Sequence, residues 1–284
     1  MRVLQELAEG GCVAPGAEAD ALLRASTEGI GQIEELVARR LRGEPLAWIT
    51  GSVRFCGVLV HVDPGVFVPR PHTEALARRA VSLLPAAGIA VDLCTGSGAV
   101  AAVLASARPR AAVIATDIDP VAVACARGNG VRALVGNLDE PLSPSLRERV
   151  DVITAVVPYV PTEELHLLPS DVLANEPRRA LDGGRRGTAV LVRAAEAAGR
   201  WLRPGGSVLL EIGGDQAGEL ATTLANVGLS QIRVLRDGDE QDRAIEARRP
   251  DLPLSPGTVV AQAARLDGSS IYNPTGEVRR DSAS

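Results

Sequence analysis

The chain has 284 residues, 46% hydrophobic but only 2% aromatic, which suits one large domain beside a smaller one with an aliphatic core. Its net charge is −5 and it contains no lysine, so the basic footprint of a nucleic-acid-binding protein is not expected. Cys12, Cys56, Cys94 and Cys125 form no CxxC pair, and His61, His72 and His166 have no ligand spacing, so no metal site is expected. The chain opens without an apolar signal core and has no run of membrane-spanning length. A reducing, cytoplasmic setting away from membranes is expected.

Residues 1–45 read as a small helical cap. Leu4, Leu7 and Ala8, then Ala21, Leu22 and Leu23, then Ile33, Leu36, Val37 and Leu41 recur at roughly helical spacing. Gly10-Gly11, Pro15-Gly16, Gly29 and Gly31 punctuate them. The cap is either a packing module or a lid over a substrate. Over 46–74 the period shortens: Val58, Val60 and Val62 alternate with Leu59, His61 and Asp63, predicting a β-hairpin connector. It ends in Val66-Phe67-Val68-Pro69-Arg70-Pro71-His72-Thr73-Glu74. Two prolines hold Arg70 in a stiff loop, and Thr73 is placed to cap a helix over 74–84. Arg70 is a candidate cofactor contact.

From 75 to 249 strands and helices alternate, the pattern of a mostly parallel sheet covered on both faces. Strands are predicted near 89–93, 111–116, 131–135, 151–157, 207–212, 231–235 and 242–247. Helices are predicted near 97–107, 119–127, 187–202 and 215–227. The last two strands flank Asp237-Gly238-Asp239-Glu240 and should pair antiparallel. Residues 250–284 read as a C-terminal extension rich in Pro, Ser, Gly and Asp. Its segment Ile271-Tyr272-Asn273-Pro274 is the candidate contact of a homodimer.

The central stretch is Val91-Asp92-Leu93-Cys94-Thr95-Gly96-Ser97-Gly98, a buried strand breaking into a glycine turn before a helix. Gly96 and Gly98 let a ligand lie against backbone at that junction. Asp117 ends the next strand, nineteen residues after Gly98, at the offset from which a carboxylate accepts ribose hydroxyls. The turn lacks both the third glycine of a dinucleotide site and a Gly-Lys-Ser/Thr phosphate clamp. A nucleoside without pyrophosphate fits better, and S-adenosylmethionine is the expected cofactor, held by Thr95, Gly96, Ser97, Gly98 and Asp117.

The methyl acceptor is expected where the strand over 151–157 ends, in Val156-Val157-Pro158-Tyr159-Val160-Pro161. Tyr159 offers a flat face on which a planar nitrogen group could stack.

Taken together, these pieces resemble the HemK/PrmC family of S-adenosylmethionine-dependent methyltransferases, which methylate a glutamine side-chain amide in peptide-chain release factors. The matching segments include Gly43-Glu44-Pro45-Leu46, Phe55-Cys56-Gly57, the Arg70 loop, the glycine turn, Asp117, Pro158-Tyr159-Val160-Pro161, Glu176-Pro177-Arg178-Arg179-Ala180-Leu181-Asp182-Gly183-Gly184 and Glu211-Ile212-Gly213. The resemblance covers roughly residues 40 to 249. It implies an α/β fold: a seven-stranded, Rossmann-like class I methyltransferase sheet behind a helical N-terminal domain. It also places Asn137 and Leu138 near the adenine, where the family usually has an acid and an aromatic residue.

One departure weighs on the acceptor. The family motif is Asn-Pro-Pro-Tyr, and Val156 stands where the amide-binding Asn would be. Valine has no donor or acceptor. The remaining candidates at the reacting end are the backbone carbonyls of Val156 and Val157, with Pro158, Tyr159 and Glu176. Glu163, Glu164 and Glu176, with Tyr159, could form a carboxylate fork for a guanidinium. Arginine, or an arginine-like small molecule, is therefore the expected acceptor, ahead of a glutamine of a release factor or other protein. A DNA amino-methyltransferase and a non-catalytic cofactor-binding scaffold are the other readings.

Overall fold

The structure is a computed structural model, and it describes residues 2–27, 30–237 and 239–251. Residues 252–284, on which the expected dimer contact falls, and Gly29 and Gly238 lie outside the described residues.

The first three helices are α1 (Arg2–Glu9), α2 (Pro15–Ala25) and α3 (Ile30–Leu41). Pro15 sits at the start of α2, where a missing N–H has no intrahelical partner to lose. Leu7, Leu22, Leu36 and Val37 meet Ile49 in a small core of their own. Ile49 belongs to α4 (Leu46–Thr50), a turn of helix at the start of what the sequence reading takes as a β-connector. Gly51 at φ 74° then turns the chain into β1 (Ser52–Phe55), which pairs antiparallel with β2 (Val58–His61). The two-residue turn between them, Cys56-Gly57, has positive φ at both positions, matching the right-handed twist of the strands.

Seven strands form the main sheet: β3 (Ile89–Leu93), β4 (Ala112–Asp117), β5 (Arg132–Val135), β6 (Val150–Ala155), β7 (Leu202–Glu211), β8 (Ser230–Arg236) and β9 (Asp242–Arg248). Their order is β5-β4-β3-β6-β7-β9-β8. The first five run parallel, and β9 is antiparallel to both its neighbours, as the polar turn implied.

On one face α5 (Thr73–Leu83) and α6 (Ala99–Ala107) bury Leu76, Ala80, Val100 and Leu104. On the other α9 (Ala189–Trp201) and α10 (Ala217–Asn226) bury Leu191, Ala195, Leu220 and Leu224. Within β3, Ala90 joins the first cluster while Val91 and Leu93 join the second. Burial on both faces is why this strand reads as a continuous apolar run. Two helices complete the fold: α7 (Pro120–Gly128) after β4, and the short α8 (Ser170–Asn175).

The strand order reverses between β3 and β6, opening a crevice beyond their carboxyl ends. Two local expectations are corrected. The strand predicted over 151–157 stops at Ala155, so Val156 and Val157 are already loop. Thr73 does not cap α5; His72 occupies that position without a side-chain hydrogen bond, and the Thr73 hydroxyl donates to Glu211 instead.

Candidate cofactor and acceptor site

A cavity of about 600 Å³ occupies the crevice. At one end the glycine turn forms its floor. Gly96 has φ +57°, and no atom lies within 4 Å of the position its Cβ would take, so the backbone there faces open space. Thr95 N–H donates to the Thr116 carbonyl at 3.0 Å, and the Thr95 hydroxyl donates to Asp92 Oδ2 at 2.6 Å, which ties the turn to β4 and β3. Asp117 accepts the Gly96 N–H through Oδ2 and the Asp119 N–H through Oδ1, both at 2.9 Å. Each carboxylate oxygen keeps a lone pair for a ligand hydroxyl. Ser97 Oγ is buried in the wall with no hydrogen-bond partner among the described residues. An orphan hydroxyl, an open glycine cradle and an acid at ribose offset fit a nucleoside cofactor. Thr95, Gly96, Ser97, Asp117, Asn137 and Leu138 all line the cavity.

Gly98 does not. A Cβ there would stand 2.9 Å from Ala126 Cβ, so this glycine, at φ +80°, lets α6 pack against α7 rather than admitting a ligand.

The electrostatics centre on buried acids. Asp92 lines the cavity, and burial pushes its carboxyl up to about 6, opposed by hydrogen bonds from the Thr154 and Thr95 hydroxyls. Asp117 is raised as well, first by burial, against the two backbone N–H groups that lower it. Two other wall residues, Cys94 and Leu138, hold positive φ without being glycine (55° and 53°), a strained conformation that clusters at binding sites.

Val156, Pro158, Phe67 and Arg70 also line the cavity. Arg70 Nη2 donates to Glu176 Oε1 at 2.6 Å, and the guanidinium lies over the Phe67 ring, 4.7 Å from its centroid. Glu176 is buried behind Arg70 and is not part of the wall, so it positions Arg70 instead of touching a substrate. Burial raises its carboxyl and the Arg70 charge opposes that rise. Val157 turns into the main core.

Tyr159 is not a stacking platform. Its ring packs on Gly213, where a Cβ would come within 3.0 Å of the ring edge, and the residue does not line the cavity. Glu163 and Glu164 sit exposed on a 3₁₀ turn (Thr162–Leu167), away from the wall. The loop is clamped from outside: Gly183 N–H donates to the Val160 carbonyl at 2.8 Å, and a Cβ on Gly183 would meet the Pro158 carbonyl at 2.7 Å.

Several wall residues escape the sequence reading, among them Asp92, Phe67, Asp119, Asp182 and Arg193. Asp92 has a usable signal, an acid inside the apolar strand Ile89–Leu93. Arg193, on α9, carries none, because only the fold brings that helix to the crevice. Among the described residues no group of His, Cys, Asp and Glu could hold a metal ion, and no helix is long and apolar enough to cross a membrane.

Residues 58–139 match the family model "Methyltransferase small domain". A Geobacter sulfurreducens protein named release factor glutamine methyltransferase is 35% identical over 227 residues, covering 78% of this chain and 79% of its own length. A Bordetella pertussis protein of the same name is 40% identical over 211 residues, covering 72% and 77%. Among solved structures, the protein-(glutamine-N5) methyltransferase of Alicyclobacillus acidocaldarius shares 25% identity over 67% of this chain and 99% of that one, with a TM-score of 0.41.

These relatives overturn the expected guanidinium acceptor, since they are named for glutamine. The geometry explains the error: the fork needed Glu163, Glu164 and Glu176 with Tyr159, and none of them lines the cavity, whose wall carries the cation Arg70. The chain is an S-adenosylmethionine-dependent methyltransferase, not a non-catalytic scaffold, and it belongs to the release factor glutamine methyltransferase (HemK/PrmC) family.

Proposed function

We propose that this enzyme methylates the side-chain amide nitrogen of a glutamine in a peptide-chain release factor. The observation that carries the reading is the make-up of the lining at the end of β6: apolar Val156 and Pro158 share the cavity with Phe67 and the cation Arg70, while Glu163, Glu164 and Glu176 stay out of it, which suits a neutral amide better than a charged guanidinium. The names of the relatives support the same acceptor.

The bound cofactor supplies a methyl group on a sulfonium, open to in-line attack by a nitrogen lone pair. The chain's own work is placement and exclusion of water. Thr95, Gly96, Ser97 and Asp117 are proposed to hold the nucleoside, with Asn137 and Leu138 at the adenine. Asp92, which lines the cavity, would place a carboxyl near the positively charged donor. Arg70, steadied by Glu176 and Phe67, is proposed to donate to the ligand at the acceptor end, and the Val156 backbone carbonyl is proposed to accept from the amide N–H groups. The helical segment 1–45 is proposed as the cap that meets the protein substrate. It is joined to the catalytic part by Asn175 Nδ2, which donates to the Gly43 carbonyl at 3.0 Å.

The test is methyl transfer from labelled cofactor to purified release factor, with peptide mapping of the product. Label on one glutamine, lost when that glutamine is replaced, is the expected result. A release factor that stays unlabelled under conditions where the cofactor binds would overturn the reading.

A further inference from the structure

A second cavity, of about 380 Å³, adjoins the cofactor cavity, and two elements run from one into the other. The loop after β5 puts Asn137 and Leu138 on the first cavity, then Leu138, Asp139 and Glu140 on the second. Along α9, Val190 and Arg193 line the first, then Arg193, Glu196 and Arg200 the second, at spacings of three and four that share one helix face. Leu138 and Arg193 alone among the described residues border both, so their side chains are the partition.

The two halves of the partition differ in freedom. Leu138 is 3% exposed, with its backbone held at φ 53°, so packing fixes it. Arg193 is exposed, and its guanidinium makes no hydrogen bond or ion pair among the described residues. The other arginines of the second cavity are committed: Arg200 Nη2 donates to Asp139 Oδ2 at 2.8 Å, and Arg147 lies over the Trp201 ring, 5.2 Å from its centroid.

We propose that Arg193 is the specificity-determining residue for the purine of the cofactor, and that the second cavity is a subsite for substituents on that purine. The inference rests on the reading that the ribose is held at Asp117 and the adenine at Asn137 and Leu138; it is independent of the acceptor. The ribose joins the purine at N9, so the edge bearing N1 and the 6-amino group lies farthest from Asp117 and meets the partition. With an unsubstituted adenine, the Arg193 guanidinium closes against the base, whose π face attracts a cation. With a group on the 6-amino nitrogen, the side chain must swing aside and let that group into the second cavity. A cavity of about 150 Å³ is enough for benzene, so one of about 380 Å³ has room for a benzyl group.

The experiment is calorimetry on the full chain with two ligands: S-adenosylhomocysteine, and the same molecule carrying a benzyl group on its 6-amino nitrogen. Wild type should prefer the unsubstituted ligand. Arg193→Ala should bind that ligand about three- to tenfold more weakly, and the benzyl analogue more tightly than wild type does, shifting the preference by about tenfold or more. Alanine is the best helix former and Arg193 is exposed, so the variant keeps the fold, which its Tm checks. Wild type that takes both ligands equally, or an unchanged preference in Arg193→Ala, would overturn the proposal. Asn137→Ala separates the two failures. If it binds S-adenosylhomocysteine as wild type does, the adenine placement is wrong; if it binds more weakly while Arg193→Ala leaves the preference unchanged, the Arg193 partition alone is wrong.

Discussion

Replacing Asp117 by Asn changes little in shape at the donor end but removes one acceptor oxygen and the charge. In the wild type both carboxylate oxygens accept a backbone N–H at 2.9 Å, one from Gly96 and one from Asp119. Asparagine can serve only one of them, and its NH₂ then faces the other N–H, donor against donor. The ribose hydroxyls also lose a charged acceptor, an interaction contributing about 1.5–3 kcal/mol. Much of this loss falls on the bound state, because the misfit distorts the turn that cradles the cofactor. At about 1.4 kcal/mol per tenfold, affinity for S-adenosylmethionine should fall roughly ten- to 150-fold. Isothermal titration calorimetry with the cofactor and its demethylated product measures this directly. An Asn variant that binds both within about twofold of wild type would refute the assignment of Asp117 to the ribose.

Three further outcomes are expected. Asp92 has a folded-state pKa raised to about 6 from 3.8, so its contribution to stability is complete below the ordinary carboxylate range and is lost as pH rises through about 6. Thermal melts of Asp92→Asn should accordingly gain on wild type between pH about 4 and about 7, and a pH-independent difference would refute this. The Glu176 side chain is 2% exposed and that of Arg70 26%, so Arg70→Met strands the more deeply buried charge. Urea denaturation should show Arg70→Met losing about 3–5 kcal/mol and Glu176→Gln less, and equal losses would contradict the asymmetry. Val156→Asn should add hydrogen bonds to the acceptor amide and raise the methylation rate by up to about tenfold, for about 1.4 kcal/mol; a lower rate would mean that the apolar wall is itself required.

What the sequence determined by itself is local. The apolar run Ile89–Leu93, the positive φ that Gly96 adopts, the acid Asp117 at the end of the next strand, and the alternation along 75–249 were legible because strand burial, glycine conformation and element period are properties of neighbouring residues. They were enough for the sheet, the cofactor and the loop that carries Val156. The direction in which a side chain leaves its loop is not a local property. Tyr159, Glu163 and Glu164 stand close to Pro158 in the chain, yet Tyr159 turns to Gly213 while the two glutamates turn to solvent. Gly98 looked like a ligand contact and serves helix packing against Ala126. Thr73 looked like a cap and spends its hydroxyl on β7. Asp92, Phe67 and Arg193 reach the cavity from a strand, a loop and a helix whose meeting only the strand order decides. Each of these outcomes depends on partners far away in sequence, because a buried polar group takes whichever partner the packed fold brings within hydrogen-bond reach.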